Sequence, residues 1–355
     1  MPLVAHNKLP TFQVLRERGE VVLTLERARQ QDIRELHIGL LNMMPDKALA
    51  ATERQFIRLV GNSNPIAQFF VYPFSLPGLD RSERAQEHIR QHYFEFDTLA
   101  EQGLDALIIT GANVANPSLD QEPFWKPLID IVRWAEANVA SIFCSCLATH
   151  ALVKHHHGIN RQRLPEKLWG VYDHKISGRE HPLLRDINTR FDAPHSRYNA
   201  VTREQLEAAG LTVLAESPEA GVHLAISPDQ FRVMYFQGHP EYGIHSLLRE
   251  YKREVLRYLN AERETNPRFP ENYLADAGKE VAANYLQQAQ KTKAAGEPLP
   301  EFPQQEFSPH IDNTWGDTGR AIINNWLGLV YQLTNLDRKQ QYMPGVDPDD
   351  PLQLR

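Results

Sequence analysis

Apolar residues cluster along the chain in short runs separated by polar or turn-forming stretches. Runs at 36–42, 68–74, 106–110, 141–145, 212–215, 222–226 and 233–236 read as strands. Between the early runs lie segments of helical character. Residues 48–60 carry Phe56, Leu59 and Val60. Residues 82–92 are strongly charged, as on a surface helix. Residues 124–137 place Ile129, Ile131, Val132 and Ala135 near helical spacing. Strands alternating with helices predict parallel pairing in a layered α/β sheet. Ligand sites in such sheets lie outside the carboxyl ends of the strands.

The last quarter follows a different pattern. A largely polar helix is predicted at 280–295, and the proline-rich stretch 296–309 resists regular structure. Residues 315–334 carry Ile322, Ile323, Trp326, Leu327, Leu329 and Val330, the stripe of an amphipathic helix docked on the body. Residues 335–355 hold Pro344, Pro348 and Pro351 and few apolar positions, which predicts a flexible tail or an arm over a neighbour. The expected organisation is an N-terminal segment 1–34 and one α/β domain 35–334. That domain includes an inserted helix and proline-rich loop at about 278–309, and the tail follows it.

Composition narrows the class. The chain has 355 residues, 42% hydrophobic and 23% charged, with net charge −7. That is ample for a packed core and ordinary for a globular protein. A mildly acidic chain is a poor general nucleic-acid binder, although a local basic patch remains compatible with it. No run approaches the 18 apolar residues of a membrane span, and residues 1–20 lack a signal-peptide core, so a cytoplasmic location is expected. The two cysteines, Cys144 and Cys146, are too close for an unstrained disulfide, which fits a reducing compartment.

Chemistry concentrates in two segments about ninety residues apart. In Cys144-Ser145-Cys146-Leu147-Ala148 a strand runs into a helix with Cys146 at the turn, flanked by the small Cys144 and Ala148. A sharp elbow needs small neighbours, and a helix N-terminus favours a thiolate. Cys144 is expected in the core. In Gly238-His239-Pro240-Glu241 a strand ends in a histidine, with a carboxylate two residues on that can orient the imidazole. Together these residues suit thiol-based acyl transfer. Pro194-His195-Ser196-Arg197-Tyr198 reads as a short polar loop, with Arg197 a candidate fork for a carboxylate. His155, His156 and His157 point three ways on a helix, and no zinc-ligand spacing or phosphate loop occurs, so no metal and no tightly bound cofactor are expected.

The ordered set of motifs resembles the MetA-type homoserine O-acyltransferases. It comprises Asn42-Met43-Met44-Pro45-Asp46-Lys47, Thr52-Glu53-Arg54-Gln55-Phe56, Thr110-Gly111-Ala112, the Cys146 elbow, Pro194–Tyr198, Glu219–Val222, Gly238–Tyr242 and Asn325-Trp326-Leu327, and it spans roughly 35–334. The resemblance implies a flavodoxin-like parallel sheet flanked by helices, similar to class I glutamine amidotransferases, with a helical C-terminal extension and a homodimer. It implies ping-pong transfer from succinyl-CoA to L-homoserine, in methionine biosynthesis. By motif, Cys146 would take the acyl group, His239 act as base and Glu241 orient it. Lys167, Ser196 and Arg253 would bind substrate, with Lys47 near the acyl site. Ala115 would set donor choice: family members carrying glutamate there use acetyl-CoA, and Ala115 offers neither bulk nor charge against a succinyl carboxylate. The elbow departs from the family's usual C-W-G-A-Q, and Asn113 replaces the usual proline. Homoserine or serine O-acetylation and glutamine amidotransfer are the rival reactions.

Overall fold

The computed structural model describes residues 3–177 and 180–355. Its strands are β1 (Leu3–Ala5), β2 (Val22–Thr24), β3 (Glu35–Leu41), β4 (Gln68–Phe74), β5 (Ala106–Ile109), β6 (Ser141–Ser145), β7 (Gln162–Ile176), β8 (Arg190–Ala200), β9 (Thr212–Ser217), β10 (Gly221–Ile226) and β11 (Val233–Phe236). All belong to one sheet, in the order β2-β1-β4-β3-β5-β6-β11-β10-β9-β7-β8. From β2 to β11 every pair is parallel, and from β11 to β8 every pair is antiparallel.

The parallel half is buried on both faces, which is why its strands read as unbroken apolar runs. Alternation still sorts the side chains. Leu36, Ile38 and Leu40 of β3, Ile108 of β5, Phe143 of β6 and Met234 and Phe236 of β11 enter one core. Against it pack Phe56, Ile57 and Val60 of the helix Asp46–Ser63 and Ile322, Ile323, Trp326 and Val330 of the helix Gly316–Leu333. Leu107 and Ile109, Ile142 and Cys144, and Val233 and Tyr235 face the opposite core. There they meet the helices Trp125–Asn138 and Leu147–His157. A third, smaller core joins the helices Ser246–Leu259 and Asp276–Ala294 to Phe302 and Phe307 of the proline-rich stretch.

Three differences from the sequence reading stand out. First, β7, β8, β9 and β10 pair antiparallel, and only β11 returns to parallel pairing, with β6. The turn between β9 and β10 is too short for the crossover that parallel pairing demands. Second, residues 194–198 are not a loop but the middle of β8, paired with β7 from Val171↔Pro194 to Leu168↔Arg197. Pro194 is tolerated because β8 is the sheet's outermost strand, where a missing N–H breaks no ladder. Third, the N-terminal segment supplies β1 and β2 at the other edge of the sheet.

The expectation of a flexible tail meets a segment with little regular structure that is tied to its own chain. Gln341 Nε2 donates to the carbonyls of Glu136 (2.9 Å) and Val139 (2.8 Å), and Tyr342 Oη donates to that of Ala140 (3.0 Å). No helix among the described residues is long and apolar enough to cross a membrane.

Candidate active site

The chain runs from β3 outward to β4, then returns to the other side of β3 with β5 and β6. The loops beyond β3, β5, β6 and β11 open on one end of the sheet, where a reversal of strand order leaves a crevice. β6 pairs with β11 from Ile142↔Val233 to Ser145↔Phe236, so the residues just past each strand end are neighbours.

Cys146 follows β6 directly and caps the helix Leu147–His157 with φ 53° and ψ −108°. A non-glycine residue with this positive φ carries strain on the order of 1–3 kcal/mol and persists only where its surroundings fix it. Here Cys146 N donates to Phe236 O (2.8 Å). Thr149 Oγ1 donates to the same carbonyl (2.7 Å) and to Cys144 O (3.1 Å). The elbow is thus locked to the end of β11. Gly111, after β5, lies close by: a Cβ there would sit 3.8 Å from that of Cys146. Cys144 is fully buried as expected, and burial pushes its thiol pKa well up, which leaves it unreactive.

His239 is held from three sides. Its backbone N–H donates to Pro194 O (2.8 Å), its Nδ1 lies 2.8 Å from Glu241 Oε1, and its ring stacks on Tyr242 at 4.1 Å and 17°. Ser145 Oγ also reaches Glu241, at 3.4 Å. His239 Nε2 is buried without a hydrogen-bond partner of normal geometry, and the Cys146 thiol is near enough to act on its charge. Burial alone would lower the imidazole pKa. The Glu241 carboxylate and Cys146 outweigh it and push it up to about 10. The imidazolium is therefore the favoured partner for a thiolate in this site.

A second cluster centres on Glu250 of the helix Ser246–Leu259. Its Oε2 accepts from Ser196 Oγ (2.6 Å) and Lys167 Nζ (2.9 Å), and its Oε1 from Tyr242 Oη (2.6 Å). Burial favours the neutral acid, but the Lys167 ammonium and the two hydroxyls hold the carboxyl below its ordinary range. Lys167 Nζ also lies over the Trp169 ring at 4.2 Å. Trp315 Nε1 donates to Tyr242 O (2.8 Å) and fixes the tyrosine that touches both clusters.

The remaining sequence candidates fall as follows. Arg253 lies one turn beyond Glu250, is 46% exposed and pairs with Glu254 at 3.2 Å. Lys47 is an exposed residue in the first turn of the helix Asp46–Ser63. Ala115 is exposed on the loop after β5, and its N–H donates to the buried Glu122 carboxylate (2.7 Å). Arg197 is not a free fork. It is buried and spent on His195 Nδ1 (3.3 Å), Asn199 O (2.7 Å) and Ala220 O.

Sequence reasoning missed Glu250, Tyr242 and Trp315 as site residues. Tyr242 closes the Gly238–Tyr242 motif, and Glu250 stands three residues before Arg253. Nothing in the sequence marks Trp315.

Among the described residues two side-chain groups could gather round a cation. His174, His195 and His223 are buried with ring nitrogens within 4.8 Å of one another, and Glu136, His155 and His156 form a part-buried set. In the first, hydrogen bonding already occupies two of the rings. Arg197 donates to His195 Nδ1, His195 Nε2 donates to His174 Nε2 (3.1 Å), and His174 Nδ1 donates to Tyr172 O (2.8 Å). Burial keeps all three rings neutral.

Fold and site together define an α/β protein with a cysteine elbow set against a histidine–carboxylate pair. Residues 2–336 match the homoserine O-succinyltransferase family model, and the chain belongs to that family of acyltransferases. The homoserine O-succinyltransferase of Methylococcus capsulatus is 58% identical over 354 residues, covering 100% of both chains. That of Methylobacter tundripaludum matches at the same identity, length and coverage. Among solved structures, a glutamine amidotransferase from Thermotoga maritima aligns with TM-score 0.44 at 12% identity, over 83% of this chain and 97% of that one.

Proposed function

We propose that the chain transfers succinyl from succinyl-CoA to the hydroxyl of L-homoserine by a ping-pong route through Cys146. The observation that carries this reading is the joining of Cys146, His239 and Glu241 at adjacent strand ends in a chain of this family. Cys146 Sγ attacks the thioester carbonyl. The tetrahedral intermediate collapses with loss of CoA thiolate, which takes its proton from the His239 imidazolium. The homoserine hydroxyl then gives its proton to His239 and attacks the enzyme thioester, and Cys146 leaves as thiolate. Two lower barriers replace one high one. The backbone N–H of Leu147, first in its helix and so without an intrahelical acceptor, is suited to the oxyanion.

Glu250 supplies a buried negative charge for the homoserine ammonium, beside Ser196, and Lys167 a positive one for its carboxylate. Arg253, one turn away, adds a second cation. Ala115 leaves room and neutral charge for the succinyl carboxylate at the site mouth.

The test combines CoA release from succinyl-CoA and acetyl-CoA, each against L-homoserine and L-serine, with intact-mass detection of the acylated enzyme. Succinyl transfer to L-homoserine with an adduct lost in Cys146→Ala is expected. Acetyl preference would remove Ala115 from the argument, and turnover without an adduct would remove the thioester. Light scattering on the same preparation checks for the homodimer that the family resemblance implies.

A further inference from the structure

Although the chain carries net charge −7, one surface next to the catalytic loop is strongly cationic. Lys47, Arg54 and Arg58 fall at i, i+7 and i+11 of the helix Asp46–Ser63, which puts them on one stripe of its surface. The stripe begins in the first turn after β3, at the carboxyl end of the strands, and runs about 16 Å at the helical rise of 1.5 Å per residue. At its far end Arg58 lies against the loop that follows the catalytic pair. Its guanidinium Nη2 is 2.9 Å from where a Cβ on Gly243, two residues past Glu241, would stand. Gln55 Nε2 donates to Ser246 Oγ (2.6 Å), pinning this helix to the start of Ser246–Leu259, which contributes Arg249. Arg18, at the end of the helix Pro10–Glu17, and Arg320, on the helix Gly316–Leu333, complete the group.

These guanidiniums act on one another. Burial and then Arg18 pull down the pKa of Arg54 and of Arg249. Burial also lowers that of Arg58, with Arg18 and Arg320 adding to it against Glu20. Among the described residues none of the five makes a side-chain hydrogen bond or an ion pair within 4.0 Å. Most other arginines of the chain do make such contacts. The two carboxylates that face them are engaged elsewhere: Glu53 with Thr11 and His88 (3.0 Å), and Glu20 with Asn62 (3.1 Å). Arginines gathered from four helices, with only these two carboxylates against them, lack the polyanion that would make their convergence favourable.

We propose that this surface is the binding site for the phosphate groups of the CoA donor, with the pantetheine arm lying along the stripe from Lys47 to Arg58. The inference rests on the succinyl-CoA reading above. The donor joins its reacting thioester to its phosphates through a long flexible arm, so a thioester at Cys146 requires a distant cationic surface. The bidentate fork of arginine suits phosphate oxygens. Binding energy gathered there, away from the reacting bond, serves to hold the donor in place for chemistry at Cys146.

The test compares succinyl-CoA with succinyl-pantetheine, which keeps the thioester and lacks the nucleotide and its phosphates. The readout is the ratio of their kcat/KM values, in which any general damage to the enzyme cancels. In wild type the ratio favours succinyl-CoA and falls steeply with added salt. Arg54→Gln/Arg58→Gln lowers the ratio at least tenfold and flattens its salt dependence. Should that variant fail to fold, Arg249→Gln, on another helix and reaching solvent, gives the same readout. An unchanged ratio in a folded variant, or a wild-type ratio near one, overturns the proposal. Intact mass separates this from failure of the parent reading. If neither donor leaves a succinyl adduct on wild-type Cys146, the parent reading is wrong. An adduct together with an unchanged ratio condemns only the phosphate site.

Discussion

Gly238, the residue before His239, is a steric requirement that a single methyl group will expose. A Cβ at this position would lie 2.5 Å from His223 Nδ1 and 2.8 Å from His195 Nε2, roughly an ångström short of ordinary contact. Neither ring can swing aside cheaply. His195 stacks on His174 at 5.1 Å and 10°, and both His195 and His223 are buried to 1% exposure or less. Overpacking of this kind costs about 1–3 kcal/mol. With an unfolding entropy of about 2.1 cal/mol/K per residue, a chain of this length loses about 1.3 °C per kcal/mol, so Gly238→Ala should lower Tm by about 3–4 °C at the upper end.

The larger effect should fall on chemistry. The strain is relieved by moving the backbone that carries His239, and displacement on the order of an ångström can cost about 100-fold in rate. The assay pairs a thermal melt with single-turnover acylation of Cys146 by succinyl-CoA. The expected signature is a rate loss of about 10- to 100-fold beside a small loss of stability. Gly328→Ala is the control. That glycine lies mid-helix with open space around it, so alanine there should stabilise by about 0.5–1 kcal/mol and leave acylation unchanged. A Gly238→Ala enzyme that melts and acylates like wild type would refute the steric argument.

Because the folded pKa of His239 is raised to about 10, its pairing with Glu241 and Cys146 stabilises the fold fully below the ordinary imidazole range. That contribution disappears as pH climbs through about 10, so wild type should lose more Tm than His239→Gln between pH 6 and pH 10; parallel profiles would contradict the assignment. Glu250→Gln removes the charge that Lys167, Ser196 and Tyr242 surround. A hydrogen bond to a charged group is worth about 1.5–3 kcal/mol, so KM for L-homoserine should rise by about 10- to 100-fold, and an unaltered KM would take Glu250 out of the pocket. Ala115→Glu puts a carboxylate on the loop after β5 and, on the proposed reading, should shift the donor ratio from succinyl-CoA towards acetyl-CoA; a constant ratio removes that position from donor choice.

The parallel half of the fold, apart from its edge strands β1 and β2, was legible because burial on both faces writes itself into sequence as short apolar runs bounded by polar residues. β3, β4, β5, β6 and β11 were found this way, as were the helices that cover them. β7 and β8 were hidden by composition. Pro165, Glu166 and Lys167 interrupt the first, and Pro194, Ser196 and Arg197 make the second read as a polar loop. Both are tolerated because these strands lie at the sheet's margin, where the polar side chains face a site or one another rather than a two-sided core. Cys146, His239 and Glu241 were legible since the elbow and the strand end are local patterns. Glu250 was not, since its partners Lys167, Ser196 and Tyr242 lie on three other segments, as much as 83 residues away, and meet only in the folded sheet.

The change of sheet direction at β11 gives the site its two halves. On one side the parallel strands deliver the groups suited to acyl exchange: Cys146 after β6 and the Gly111–Ala115 loop after β5. On the other, the antiparallel strands β7 and β8 deliver Lys167 and Ser196 from mid-strand, suited to a small zwitterion. A parallel strand presents only its carboxyl end to such a crevice, whereas a hairpin at the sheet margin can curl its side chains towards it. His239, Glu241 and Tyr242 follow β11 at the seam, and Tyr242 touches both His239 and Glu250. One imidazole thus stands between the two halves, as the proposed route, with one base for both half-reactions, would require. Tyr242 stacks on that ring and bonds Glu250, so a ligand at Glu250 would reach the ring through it. Tyr242→Phe, which keeps the stacked ring and removes only the bond to Glu250, should therefore slow deacylation by L-homoserine more than acylation by succinyl-CoA. Equal slowing of the two half-reactions would show that the hydroxyl serves the fold and not the coupling.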